Sequence, residues 1–244
     1  MQFPTPLLKG RLLQRYKRFL ADVTLDNGET VTAHCANPGS MFGVAAPGSE
    51  VWLSIAANPK RKLKYTWELV RVGRYLVGIN SSVPNALAAE AIESGWIAEL
   101  AGYQSLRREV KYGENSRVDL LLEDPARPPC YVEVKNVHLK RQPGLAEFPD
   151  AVTARGTKHL GELGNMVDAG MRAVMLYVVQ RGNCGRFGLA ADIDPTYADA
   201  LAVARSRGVE ALVYRCKIST RGIRIDRPLP FVECRGAVMP DPNA

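Results

Sequence analysis

Residues 131–137 read YVEVKNV. Tyr131, Val132, Val134 and Val137 suit a buried or half-buried strand, yet Glu133 and Lys135 interrupt them two apart. Side chains alternate along a strand, so Glu133 and Lys135 point the same way. Taken alone, an E-x-K pair in a strand is commonly a half-exposed ion pair. Its neighbourhood changes that reading.

Upstream, RVDLLL (117–122) places Asp119 inside an apolar strand, where Asp is normally depleted. The Pro-rich link EDPARPPC (123–130) is expected to break the strand, so the two strands form an antiparallel hairpin. A turn centred on Ala126-Arg127 sets Asp119 opposite Val134, with Glu133 and Lys135 as its nearest cross-strand neighbours. A slip of one residue sets it opposite Glu133 or Lys135. Two carboxylates so close repel unless a positive charge lies between them. Mg²⁺ (or Mn²⁺) fits that need, because it takes one or two carboxylates and fills its shell with water and phosphate. Asp119 and Glu133 are thus candidate metal ligands, and Lys135 a candidate for orienting water or stabilising charge on a phosphate.

Around this hairpin the sequence predicts an α/β domain. RREVKYG (107–113) is a further strand, and the run from Pro149 to Ala169 reads as a helix. RAVMLYVVQR (172–181) is near-continuously apolar, as in strands buried on both faces. Strand, helix, strand implies a right-handed crossover and a parallel pair. PTYADALAVARSRG (195–208) is a second helix with Pro195 in its first turn and Asp194 as cap, and VEALVYRCKI and RGIRIDR follow as strands.

Residues 10–80 differ. Five short strands in this stretch are punctuated by Asp26-Asn27-Gly28, two Pro-Gly breaks and Gly73-Arg74. Closely spaced strands of this kind predict a small closed barrel, OB-like in type. The pattern breaks at Ser81–Asn85, where ALAAEAIESGWIAELAG begins a helix. The expected division is a barrel of residues 1–82 and an α/β domain of residues 83–244.

Charge follows the same division. The net charge is +7, and residues 1–80 hold 11 Lys/Arg against 5 Asp/Glu, while the remainder holds 21 against 20. A basic barrel invites a polyanion, since clustered Lys/Arg release counterions from phosphate backbones. Lys60, Arg61, Lys62 and Lys64 lie beside Tyr65 and Trp67, which combines charge with stacking surface. The alternative is a solvated loop with core aromatics. Arg11, Arg15, Lys17 and Arg18 form a second basic cluster, and Lys158 or His159 could reach a phosphate above the metal site. The five cysteines form no CxxC pair, so neither a disulfide framework nor a thiolate zinc site is expected. No run approaches the ~18 apolar residues of a membrane span, and no secretion signal is read, so the expected location is the cytoplasm.

D-(13 residues)-E-x-K on a hairpin resembles the PD-(D/E)xK nuclease superfamily. SRVDLLL, YVEVKNV, FPDAVTARGTKHLGEL, HCANPGSM and NPKRKLKYTWELV together resemble the sugar fermentation stimulation protein family. That resemblance runs through almost the whole chain. It implies an OB-like barrel fused to a nuclease-like mixed-sheet α/β domain that binds DNA; the expected partner is DNA without strong sequence preference. It carries the site to Asp119, Glu133 and Lys135, and implies a helical acid at Glu90, with Glu93 as second choice. One departure is Pro38, where the family pattern leads one to expect Thr. Two functions follow. One is a metal-dependent DNA-cleaving enzyme, the other a non-catalytic DNA-binding regulator that keeps the nuclease fold; both are compatible with a homo-oligomer.

Overall fold

The structure, a computed structural model, describes residues 1–232. The first strands are β1 (Leu8–Tyr16), β2 (Leu20–Leu25), β3 (Thr30–His34), β4 (Glu50–Ile55), β5 (Tyr65–Val72) and β6 (Tyr75–Gly78). They hydrogen-bond in the order β3-β2-β1-β4-β5-β6, and β3 also pairs with β5. Five strands thereby close into the expected barrel, and β6 extends it. β1 precedes the five strands expected from the sequence, which correspond to β2–β6. Its inward residues are Gly10 and Leu12, and the rest is half-buried or exposed, so its apolar signal is weak. A Cβ at Gly10 would lie 2.6 Å from the Thr24 carbonyl oxygen, so only glycine lets β1 and β2 approach this closely.

Helix α1 (Val83–Glu93) follows, then β7 (Ser105–Tyr112), β8 (Ser116–Asp124), β9 (Arg127–Val137), β10 (Gly144–Phe148), α2 (Ala154–Asp168), β11 (Arg172–Val179), β12 (Cys184–Leu189), α3 (Pro195–Ser206), β13 (Glu210–Ser219) and β14 (Gly222–Pro228). The main sheet runs β14-β13-β11-β9-β8-β7. β11 is parallel to both β9 and β13, as the crossover rule requires, and the outer pairs are antiparallel. One face packs on α1 and the other on α2 and α3, so β11 is buried along seven of its eight residues.

Three expectations change. Arg127, Pro128 and Pro129 do not break the chain; they are the first residues of β9, a position where proline's missing N–H costs least. β10 and β12 form a separate parallel pair that the sequence pattern does not announce. Glu147 hides β10, because its buried carboxylate is held by Arg141 at 2.7 Å. Finally, α2 starts at Ala154, not Pro149, with the Thr153 hydroxyl accepting from the Gly156 N–H at 3.1 Å.

The barrel and the sheet share more than a linker. Trp52 and Leu69, on barrel strands, belong to the apolar cluster between α1 and the main sheet. The Gly78 N–H donates to the Gln180 carbonyl at 3.0 Å, and Val77 bridges Arg181. Among the described residues no helix is long and apolar enough to cross a membrane.

Candidate functional site

The hairpin ladder ends where the site begins. β8 and β9 pair at Leu122–Cys130, Leu121–Tyr131 and Leu120–Val132. Continuing this register sets Asp119 level with Glu133, one residue from the arrangement with Val134 and within the slip considered above. The Asp119 carboxylate takes over the next rung. One oxygen accepts from the Val134 N–H at 2.8 Å, the other from the Asn85 side-chain amide at 2.7 Å.

Glu133 is 3% exposed. Its Oε1 accepts from Lys135 Nζ at 2.8 Å and from His159 Nδ1. Its Oε2 is buried and has no hydrogen-bond partner among the described residues. Lys135 lies on the same face, as strand alternation demands, with its side chain mostly covered.

The two carboxyls are driven apart in acidity. Burial, then the Glu133 charge, raises the Asp119 pKa to about 6 against the pull of the Val134 N–H, Lys135 and Asn85. Burial also acts to raise Glu133, but the His159 hydrogen bond and the Lys135 charge outweigh it, and its pKa is lowered. Glu133 is thus the fixed anion and Asp119 the group that titrates near neutrality. At the rim, the buried Tyr112 hydroxyl has no hydrogen-bond partner among the described residues. Its pKa is raised by burial and by Glu133, Glu162 and Asp119. Glu162 is also buried, 3.5 Å from Lys158.

The structure does not bring Glu90 to this site. Glu90 is exposed, ion-paired with the Met1 amine, and lines a shallow hollow with Trp96 and Arg224. Five residues along a helix turn about 140° beyond a full revolution, so Glu90 and Asn85 cannot face the same way. Glu93 lines another hollow, beside Tyr103 and Leu122. The α1 residue at the site is Asn85, which the sequence reading treated only as part of a helix start. His159 is likewise reassigned: it is 3% exposed and turned inward onto Glu133, not outward toward a phosphate. Lys158 does stay exposed, donating to the Glu114 carbonyl at 2.8 Å.

On the barrel, Lys60, Arg61, Lys62 and Lys64 occupy the exposed β4–β5 loop. Arg61 reaches Thr66 Oγ1 at 3.0 Å and His34 Nδ1 at 3.1 Å, and Lys64 lies 5.4 Å over the Tyr65 ring. Trp67 is no stacking surface; it is fully buried, its indole N–H bonded to the Leu69 carbonyl at 2.9 Å. Lys17 and Arg18 form the β1–β2 turn, where Phe19 stacks on His34. The two basic segments therefore converge around His34. Arg15 and Arg18 also hold the 37–39 backbone, with bonds of 3.0 Å to the carbonyls of Asn37, Gly39 and Pro38.

Among the described residues no three His, Cys, Asp or Glu side chains gather into a metal-binding group. The four described cysteines are free, buried and scattered, which disfavours a thiophilic metal. A hard cation fits better. Asp119 and Glu133 offer carboxylate oxygens, and the buried Glu133 Oε2 has no hydrogen-bond partner among the described residues.

Comparison with known proteins agrees with this architecture. The family model described as "SfsA N-terminal OB domain" matches residues 13–79, and "Sugar fermentation stimulation protein RE domain" matches residues 82–222. The sugar fermentation stimulation protein homolog of Maricaulis maris is 60% identical over 229 residues, covering 94% of this chain and 97% of that protein. The homolog of Rhodospirillum centenum is 62% identical, covering 94% and 98%. A solved structure described as Pyrococcus furiosus SfsA in complex with Ca²⁺ superimposes with a TM-score of 0.87 at 26% identity, covering 95% of this chain and 98% of that one. With the barrel, the mixed sheet and the relatives in agreement along nearly its full length, the chain belongs to the sugar fermentation stimulation protein family.

Proposed function

We propose that the protein binds DNA without strong sequence preference and cleaves phosphodiester bonds with Mg²⁺ or Mn²⁺ held by Asp119 and Glu133. The barrel (residues 1–82) grips the backbone and the α/β domain (residues 83–244) carries the site, in the cytoplasm. The observation that carries this reading is the buried Glu133 Oε2, which has no hydrogen-bond partner among the described residues and lies level with a second carboxylate. That the Pyrococcus furiosus relative is described as a Ca²⁺ complex supports a hard-cation site. A divalent cation bound there supplies Lewis-acid chemistry, neutralising phosphate charge and acidifying water. Lys135, tethered to Glu133 Oε1, holds the attacking water or donates to a phosphate oxygen. Asn85 fixes the rotation of Asp119.

A second reading, a DNA-binding regulator that does not cut, has its own support. Lys135 already pairs with Glu133, and His159 bonds to the same oxygen, without any added cation. The role in sugar use that the family name suggests would then act through binding alone. One experiment separates the two. Wild type and Asp119→Ala are incubated with supercoiled and single-stranded DNA in Mg²⁺, in Mn²⁺ and in chelator. Metal-dependent cleavage by wild type, reduced at least a hundredfold in Asp119→Ala, is expected, since one positioned catalytic group contributes about 10²–10⁴. Equal cleavage by both proteins sinks the site assignment. Salt-sensitive binding with no cleavage by either favours the regulator.

A further inference from the structure

His159 lies on the buried face of α2, and its ring has a partner at each nitrogen. Nδ1 meets Glu133 Oε1, and Arg155, one helical turn earlier, points its Nε at His159 Nε2 at 3.3 Å. Arginine keeps its protons in proteins and offers no acceptor. Nε2 must therefore present its lone pair. A neutral imidazole carries one N–H, so the proton sits on Nδ1 and is donated to Glu133.

That donation has a consequence for the carboxylate. Oε1 receives two donors, His159 Nδ1 and Lys135 Nζ, and they approach from different elements, α2 and β9. Oε2 receives none among the described residues. The carboxylate cannot rotate without losing both bonds, so the same oxygen is always left over. Lys135 alone would hold Oε1 less firmly, because a lysine reaching across two residues of one strand keeps rotamer freedom that a buried imidazole lacks.

We propose that His159 is a positioning residue, which presents Glu133 Oε2 to a divalent cation, with Arg155 fixing the imidazole tautomer. This rests on the reading of Asp119 and Glu133 as the cation site. It assigns to α2 a part in the site that E-x-K alone does not contain. Such supporting bonds to ligand side chains are typically worth about 10–100-fold in metal affinity.

Two measurements on the full chain test it. In the metal-free protein, ¹⁵N NMR of the histidine side chains, with His159→Asn used for assignment, should find His159 neutral with its proton on Nδ1. A proton on Nε2 overturns the proposal whatever the metal does. Mn²⁺ binding is then followed by electron paramagnetic resonance for wild type, His159→Ala and His159→Asn, each checked for folding by circular dichroism. His159→Ala should bind at least about tenfold more weakly. His159→Asn, whose amide N–H occupies the place of Nδ1–H, should recover most of that loss. Equal binding by His159→Ala and wild type overturns the positioning role alone. So does a folded His159→Asn as weak as His159→Ala, which would mean the ring matters for packing only. Wild type that binds no Mn²⁺ overturns both this proposal and the cation site beneath it.

Discussion

Asp119 holds a proton more tightly in the fold than outside it, and that has a sign. Its pKa is raised to about 6 by burial and by Glu133, from an unfolded value near 3.9. The native state thus binds more protons between these values. The stability this contributes is present below about pH 4 and is lost as the pH climbs through about 6. In chelator, the melting temperature of wild type relative to Asp119→Ala should therefore fall between pH 4 and 7 and level off above. A pH-independent difference would contradict the raised pKa of Asp119. Asp119, Glu133 and Lys135 were readable because a strand has a period of two, and a charge in an apolar strand is conspicuous. Glu90 misled for the opposite reason. α1 is buried at seven of its eleven residues, so no apolar stripe tells which polar residue faces the sheet. Asn85 does, and an uncharged amide gives no warning of it. His159 was visible as a residue but not in its direction, which depends on how α2 docks.

At the scale of elements, α2 and α3 are joined at their starts. Asp194 caps α3 by accepting from the Tyr197 N–H at 3.0 Å, and it also accepts from the Thr153 N–H at 2.8 Å, one residue before α2. The cap of α3 was legible from Asp-Pro; the second bond was not, since it joins residues 41 apart. Asp194 is 2% exposed, so its removal strands two backbone donors in a dry place. Asp194→Ala should cost about 2–3 kcal/mol in urea unfolding, more than an ordinary cap. Because α2 carries His159, the same variant should weaken Mn²⁺ binding although Asp194 is not part of the site. β10 and β12 are not legible because each is short and broken by a charged or glycine residue, and they form a two-stranded sheet apart from the main one.

Across the whole molecule, a basic barrel adjoins a nearly neutral sheet domain, and this asymmetry was readable from the charge count alone. DNA affinity should fall steeply with salt. Replacing Lys60, Lys62 and Lys64 together by alanine should lower the slope of log K against log salt by about 2 to 3, at roughly 0.9 per phosphate contact. Fluorescence anisotropy across a salt titration measures this, and an unchanged slope would remove the β4–β5 loop from the interface. The seam between barrel and sheet was not legible, since Trp52 and Leu69 look like ordinary barrel residues. They lie instead in the cluster beneath α1, and Gly78 bonds across to Gln180. A barrel produced on its own would bare that strand edge and an indole face side by side, which is a template for self-association. The two halves are therefore not interchangeable modules: neither can be trimmed, swapped or grafted without carrying its neighbour along.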